Sequence, residues 1–164
     1  MFMLMFYFIG INATDLFTLK EIDNQGRVQY HRNKTGRLYS IKVEPEASAI
    51  INKYRGKNNL LNCLDKYKDY KDYLHHMNNS LKTLGKTFKL GVGWTGDAIE
   101  SDLTSYWARH TWATIAYQLD IPHEVIGQAM GHAESDTTDI YIRYDNTKAD
   151  DANRKVIDYV LNKK

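Results

Sequence analysis

The chain has 164 residues, of which 43% are apolar and 26% are charged. This composition is typical of a globular domain with a core, and it excludes wholesale disorder and a collagen-like repeat. A single cysteine, Cys63, excludes an internal disulfide and a cysteine-based zinc site, and it indicates a reducing, cytoplasmic setting. The apolar opening, residues 1–8, is too short to span a bilayer, which needs about 20 residues, and it predicts a buried helix.

The net charge of +2 hides an asymmetry along the chain. Residues 24–57 hold eight Lys and Arg against two acids. Residues 96–133 hold one Arg against five acids, and residues 134–151 hold two basic residues against six acids. A basic first half facing an acidic second half indicates a polyanionic partner that docks on one side. On charge alone, a solvated lysine-rich face explains the pattern equally well.

The first quarter of the chain predicts helix followed by a hairpin. Residues 1–20 have helical character, with a break and a possible new cap near Asn12. Two runs of alternating side chains, 27–32 and 38–43, flank the turn residues 33–36, which include a glycine. Such alternation around a turn predicts an antiparallel β-hairpin, with Lys34 at its tip.

The remainder of the chain predicts helices. Pro45 ends the second strand, and helical spacing then recurs along the chain. The expected helices are 46–54, 58–86, one that follows Thr104 and Ser105 as far as Leu119, one from Pro122 that is closed by Gly131, 136–145 and 150–161. The predicted fold class is therefore α+β, mainly helical, with one small antiparallel sheet near residues 26–43.

Several common sites are missing from the sequence. It contains no Gly-rich phosphate loop and no dinucleotide fingerprint that follows a strand. His75 and His76 form a pair on a polar helix, and we expect them to be solvated rather than bound to a metal. The sequence therefore predicts no cofactor and no metal.

Residues 104–144 contain polar side chains that could converge on a phosphate. Tyr106 and Arg109 are three residues apart, so they share one side of a helix. His132 follows the glycine that closes the next helix, and Tyr141 lies nine residues further on. The arginine would clamp two oxygens, the histidine would donate to one, and the tyrosine oxygen would attack in line without a metal. Taken singly, each residue is more simply explained as a core tyrosine, a capping histidine or a stacking arginine.

Taken together, these residues resemble the catalytic domain of the tyrosine recombinases, or phage-type integrases. The second-box Arg-His-Thr of that family is matched by residues 109–111, the Leu-Gly-His segment by residues 130–132, and the Thr-x-x-Tyr context of the nucleophile by residues 138–141. The hairpin resembles the small sheet of the family, in which Lys34 occupies the position of a catalytic lysine. Residues 10–16 resemble the first arginine box, so the resemblance runs over essentially the whole chain.

Two positions depart from the family pattern. Asn12 stands where the first-box arginine is usual, and Tyr106 stands where a histidine precedes the second arginine. Integrases of some mobile elements depart in a similar way, so we interpret both changes as features of a subgroup. Because the loss of a phosphate clamp is costly, another basic residue, Arg32 or Arg37 of the hairpin or one from elsewhere, is expected to replace it. The Tyr106 hydroxyl can still donate a hydrogen bond to a phosphate oxygen.

The resemblance implies a mechanism. Tyr141 attacks the scissile phosphate to give a 3′-phosphotyrosine and a free 5′-hydroxyl, and Lys34 acts as general acid to the leaving oxygen. Arg109, His132 and Tyr106 stabilise the charge on the non-bridging oxygens. Strand exchange is the reverse reaction with another 5′-hydroxyl, so no cofactor is needed. The further residues expected to contact DNA are Asn12, Arg32, Arg37 and His110.

The resemblance also implies the partners. We expect double-stranded DNA, a tetramer on DNA formed through the C-terminal segment, and no membrane contact. The helix after Asp150 would dock on a neighbouring protomer or, equally well, close its own domain. Residues 1–164 are expected to form a single catalytic domain without the N-terminal core-binding domain of the family. The expected location is cytoplasmic, with the bacterial nucleoid.

Other interpretations stay open. Residues 112–130 also fit a helix-turn-helix, as in a transcription regulator. Because Asn12 replaces an arginine, a catalytically weakened DNA-binding protein with the recombinase fold is a further alternative. A DNA-relaxing activity of the type IB topoisomerase kind uses the same chemistry and also stays open.

Overall fold

The computed structural model describes residues 1–87, 102–131 and 146–162. In these ranges, helices surround one two-stranded antiparallel sheet. The elements are α1 Phe2–Tyr7, α2 Ala13–Thr18, β1 Arg27–His31, β2 Leu38–Lys42, α3 Pro45–Lys53, α4 Cys63–Lys66, α5 Tyr70–Thr87, α6 Trp107–Gln118, α7 His123–Met130 and α8 Asn146–Asn162. The mainly helical α+β class predicted from the sequence is confirmed.

The hairpin lies where the sequence predicts it, with β1 and β2 antiparallel. Arg27 lies opposite Lys42, and Val28 lies opposite Ile41. Val28 and Ile41 are both buried in the core, because residues that lie directly opposite each other in an antiparallel pair project from the same face of the sheet. The turn residues 33–36 are exposed. The core therefore holds the sheet while its turn reaches the surface.

A buried asparagine joins three helices in the core. Trp112 of α6 is fully buried, and its Nε1 donates to Oδ1 of Asn153 in α8 at 2.8 Å. Nδ2 of Asn153 donates in turn to the carbonyl oxygen of Tyr7, at the end of α1, at 2.9 Å. Because Asn153 is only 2% exposed, these bonds satisfy polar atoms that water cannot reach. The three helices are therefore fixed relative to one another.

Helix α8 packs against its own chain. Its buried face is formed by Ala149, Ala152, Asn153, Val156 and Ile157. Asp150 pairs with Arg27 of β1 at 2.6 Å, and Arg154 contacts Glu44 and Glu46 at about 3 Å. The bond from Arg154 lowers the pKa of the Glu46 carboxyl, so this carboxyl stays ionised. Residues 146–162 therefore close the domain, and docking on a neighbouring protomer stays a prediction.

The prediction of one long helix over 58–86 is wrong. Leu61 instead forms an isolated antiparallel bridge with Arg55, and the four-residue helix α4 precedes a separate α5. The Asp69 carboxylate accepts the backbone N–H groups of residues 71 and 72 at 2.9 Å. An aspartate that bonds nearby backbone N–H groups favours the start of a helix over its interior. The chain therefore breaks before α5 although the apolar spacing continues.

Other helix boundaries shift by a few residues. Helix α6 has Tyr106 rather than Thr104 or Ser105 at its N-cap position, and α7 has Pro122 there. Gly131 closes α7 in the left-handed conformation, with φ of 73°, as predicted. Helix α8 begins at Asn146, four residues before the expected start. The helix predicted over 136–145 lies outside the described residues.

Candidate active site

A cleft of about 430 Å³ opens beside the hairpin turn. Its walls come from the segment before and within α2, the hairpin turn, α5 and the beginning of α6. Four residues predicted for the site line it, namely Asn12, Lys34, Tyr106 and Arg109. Because these residues are far apart in the sequence, only the fold brings them together.

Arg109 is held in the wall of the cleft by backbone carbonyl groups. Its side chain is buried, with the residue only 8% exposed. Nη1 donates to the Gly10 carbonyl at 3.1 Å, and Nη2 donates to the Met130 carbonyl. Burial lowers the pKa of the guanidinium, and the neighbouring positive charge of Arg32 lowers it further. A guanidinium has five N–H donors, so the two carbonyls orient Arg109 without using all of them.

Arg32 reaches the same carbonyl from the hairpin. Its Nη1 donates to the Gly131 carbonyl at 2.7 Å and to the Met130 carbonyl at 3.3 Å. In the part of the chain that the structure describes, neither Arg32 nor Arg109 forms an ion pair with a carboxylate. We call these two residues the arginine pair. Adjacent positive charges of this kind are stabilised by an anion that takes bonds from both.

The close packing at Arg109 requires glycine at position 10. Gly10 has φ of +66°, a conformation that side chains with a Cβ rarely adopt. A Cβ at this position would lie 2.5 Å from the Arg109 Cα. The absence of a side chain therefore lets the Gly10 carbonyl approach the guanidinium.

Asp15 joins α2 to the hairpin turn, a role that was not predicted from the sequence. This carboxylate is 4% exposed, and its Oδ1 accepts the backbone N–H of Asn33 at 3.1 Å. The bond joins α2 to the hairpin turn immediately before Lys34. The available signal for this role was an acid within residues 10–16, the segment that resembles the first arginine box. The sequence did not indicate that this acid is buried.

Tyr106 is 55% exposed at the cleft, and its ring packs edge-on against His110, with ring centroids 4.6 Å apart. The other predicted residues lie in different places. His110 lines a second groove, between α6 and α7, and Arg32 and Arg37 are both outside the cleft lining. His132 and Tyr141 lie outside the described residues.

Within residues 1–87, 102–131 and 146–162, no cluster of three or more His, Cys, Asp or Glu could hold a metal ion. No helix there is long and apolar enough to cross a membrane.

Fold and cleft together define a mainly helical α+β domain with a cleft that is lined by the buried Arg109. The chain matches the family model described as "Phage integrase family" over residues 3–148. It therefore belongs to the phage integrase family, as the sequence resemblance predicted. Membership supports a site-specific recombinase role and DNA binding. A search of curated proteins and a search of solved structures found no match.

Substitution of Gly10 tests the packing that orients Arg109. Gly10→Ala should lower the free energy of unfolding by more than the 1–2 kcal/mol, roughly, that left-handed backbone costs a residue with a Cβ, because its Cβ also meets Arg109. Gly26→Ala is the matched control, since Gly26 has φ of +74° and nothing within 4 Å of its Cβ position. Urea unfolding of both variants measures the difference. Equal losses would show that Gly10 does not pack tightly on Arg109.

Proposed function

We propose that the chain is the catalytic domain of a tyrosine-type site-specific recombinase, which cuts and rejoins DNA through a 3′-phosphotyrosine. The arginine pair carries this proposal. Arg32 and Arg109 hold adjacent positive charges, and Arg109 lines the cleft together with Lys34 and Tyr106. A phosphodiester is a singly charged oxyanion whose non-bridging oxygens suit guanidinium N–H donors. The scissile phosphate is the anion that fits both the site and the family.

In this proposal, Arg32 takes over from the missing first-box arginine. Asn12 lines the cleft, but its amide carries no charge. Arg32 supplies the charge from the hairpin side and bonds to the same carbonyl as Arg109. Neither Arg32 nor Arg37 lines the cleft. Arg32 is the stronger candidate because its Nη1 bonds to the Met130 carbonyl, which also accepts a bond from Arg109. The departure at Asn12 therefore moves the second guanidinium to another element.

The proposed reaction is an in-line displacement at phosphorus. The Tyr141 oxygen forms a bond to phosphorus while the bond from phosphorus to the 5′ oxygen breaks, and the phenolic proton leaves to solvent. The Lys34 ammonium gives its proton to the departing 5′ oxygen. The arginine pair, Tyr106 and His132 donate to the non-bridging oxygens. Rejoining reverses these steps with another 5′-hydroxyl, which conserves the energy of the phosphodiester.

Two alternatives are less well supported. A catalytically weakened enzyme is the first alternative, because Asn12 lacks a charge, yet Arg32 lies beside Arg109 and provides one. In a helix-turn-helix regulator, α7 would enter the major groove. Residues 123–130 contain Glu124 but no lysine or arginine, so this helix lacks the usual charge for DNA contact. The arginine pair therefore favours the enzyme.

The assembly and setting form part of the same proposal. We expect four protomers to act on two duplexes of a mobile genetic element at the bacterial nucleoid. One face of α8 packs on its own chain, so we propose that docking of the C-terminal segment on a neighbouring protomer uses the exposed face of this helix.

The nucleophile is tested by trapping the covalent intermediate. The substrate is a nicked duplex that carries the DNA flanking the gene. Cleavage releases a short fragment with the 5′-hydroxyl, so rejoining cannot occur and the adduct accumulates. Wild type should form a 3′-phosphotyrosine adduct, and Tyr141→Phe should form none because it lacks the attacking oxygen. Tyr144→Phe, the matched control, should retain the adduct. An adduct that survives in Tyr141→Phe would contradict this assignment.

The arginine pair is tested by comparing two hairpin variants that lose the same charge. Arg32→Ala should slow adduct formation about 10²–10³-fold, the usual effect of removing a donor to a developing oxyanion. Arg37→Ala should have a much smaller effect. The single-turnover rate on the nicked duplex measures both variants. Equal effects would show that Arg32 provides only general positive charge.

The role of Lys34 is tested with a better leaving group. Lys34→Gln should slow cleavage of the ordinary substrate about 10²–10⁴-fold, because the 5′ oxygen then leaves without a proton donor. A substrate with sulfur at the 5′ bridging position leaves as a thiolate, whose conjugate acid has a pKa of about 8.5, and needs no general acid. This substrate should restore cleavage by Lys34→Gln but not by Arg32→Ala. No restoration would contradict the general-acid role.

A further inference from the structure

We infer that one flank of α5 binds the phosphate backbone of duplex DNA where the duplex leaves the cleft. The flank consists of Lys71, Lys82 and Lys86, which we call the lysine flank. All three side chains are exposed, and none forms a salt bridge within the described ranges. This inference rests on the proposed function, since it takes DNA as the substrate.

Helical geometry places the three lysines on one side of α5. At 3.6 residues per turn, Lys71, Lys82 and Lys86 fall within an arc of roughly 60° around the helix axis. Asp72, the acid of the first turn, instead contacts His76 at 3.6 Å, on a neighbouring strip of the helix. The positive charge is therefore concentrated on one side.

The lysine flank adjoins the cleft. Leu74 of α5 lines the cleft, and Oδ1 of Asn78 accepts the backbone N–H of Ser105 at 2.8 Å. By the same geometry, Leu74 and Asn78 form the strip immediately beside the three lysines. Ser105 directly precedes Tyr106 of the candidate site. DNA bound in the cleft therefore has α5 at its edge.

Packing on α2 fixes the rotation of α5. The ring of Tyr73 packs edge-on against Phe17 of α2, with centroids 4.8 Å apart, and Leu81 is buried. Because these apolar contacts hold one face of α5 inward, the lysine flank keeps its position beside the cleft.

The length of the flank suits a duplex. Residues 71 to 86 span about 22 Å at the helical rise of 1.5 Å per residue. A DNA strand carries one phosphate per about 3.4 Å of axis, so this span corresponds to about six base pairs. Lysine provides a compact charge on a flexible stem, which suits contacts to phosphates independent of sequence. Phosphates on one side of the scissile position are therefore the expected ligands.

The salt dependence of DNA binding tests the flank. A variant combining Lys71→Gln, Lys82→Gln and Lys86→Gln should bind a labelled random-sequence duplex with a shallower slope of log Kd against log salt. Loss of three phosphate contacts reduces the slope by about 2.7, so between about 50 and 200 mM salt wild type should lose about 40-fold more affinity than the variant. Glutamine is a good helix former, so α5 should persist, which circular dichroism checks.

A control variant separates position from net charge. Lys20→Gln, Lys148→Gln and Lys155→Gln remove the same charge from exposed positions that do not line the cleft. This control should keep nearly the wild-type slope. Two results would contradict DNA binding by the lysine flank while leaving the recombinase proposal intact. One is an equal slope of log Kd against log salt for wild type and the flank variant, and the other is an equal reduction of this slope in the control variant. Absence of duplex binding by wild type at about 50 mM salt would overturn both, because phosphate contacts dominate at low salt.

Discussion

The Met130 carbonyl oxygen accepts hydrogen bonds from both Arg32 and Arg109, and the geometry of the site depends on this shared acceptor. Met130 is the last residue of α7, where carbonyl groups have no partner within the helix and carry partial negative charge. Such an oxygen can hold two guanidinium groups close together without neutralising them. A carboxylate in the same place would form ion pairs with the arginines and compete with a phosphate. Backbone acceptors therefore orient the charges while leaving them able to bind an anion.

Helix α8 holds the two elements that carry the arginine pair. Asp150 binds Arg27 at the start of β1, the strand that ends just before Arg32. Asn153 binds Trp112 of α6, one turn after Arg109. A helix outside the cleft thus fixes the hairpin and α6 together. This arrangement explains why polar contacts, rather than apolar area alone, join α8 to the domain.

The elements that the sequence predicted well have strong local signals. Alternating residues around a glycine turn specified the hairpin, and Gly131 specified the end of α7. The prediction over 58–86 failed because apolar spacing does not record a side chain such as Asp69 that caps the backbone. The roles of His132 and Tyr141, which lie outside the described residues, stay predictions from spacing and resemblance.

The contacts that build the cleft were harder to predict. Helical spacing and chemistry indicate Tyr106 and Arg109, the resemblance adds Asn12 and Lys34, and the fold places all four in one cleft. The preference for Arg32 rests on its bonds to the backbone carbonyls of Met130 and Gly131, almost a hundred residues away in the sequence. Every residue has a backbone carbonyl, so the sequence does not indicate which carbonyl accepts a hydrogen bond. The preference for Arg32 over Arg37 therefore could not be predicted from residue types. The burial of Asp15 was hidden for the same reason.

The most direct test of the account is to locate a bound oxyanion. Tungstate resembles phosphate in charge distribution and scatters anomalously, so a crystal of the chain soaked in tungstate would show its position. The account predicts tungstate oxygens within about 3 Å of guanidinium nitrogens of both Arg32 and Arg109. It would be contradicted if tungstate bound elsewhere, or if a carboxylate of the chain occupied that position instead.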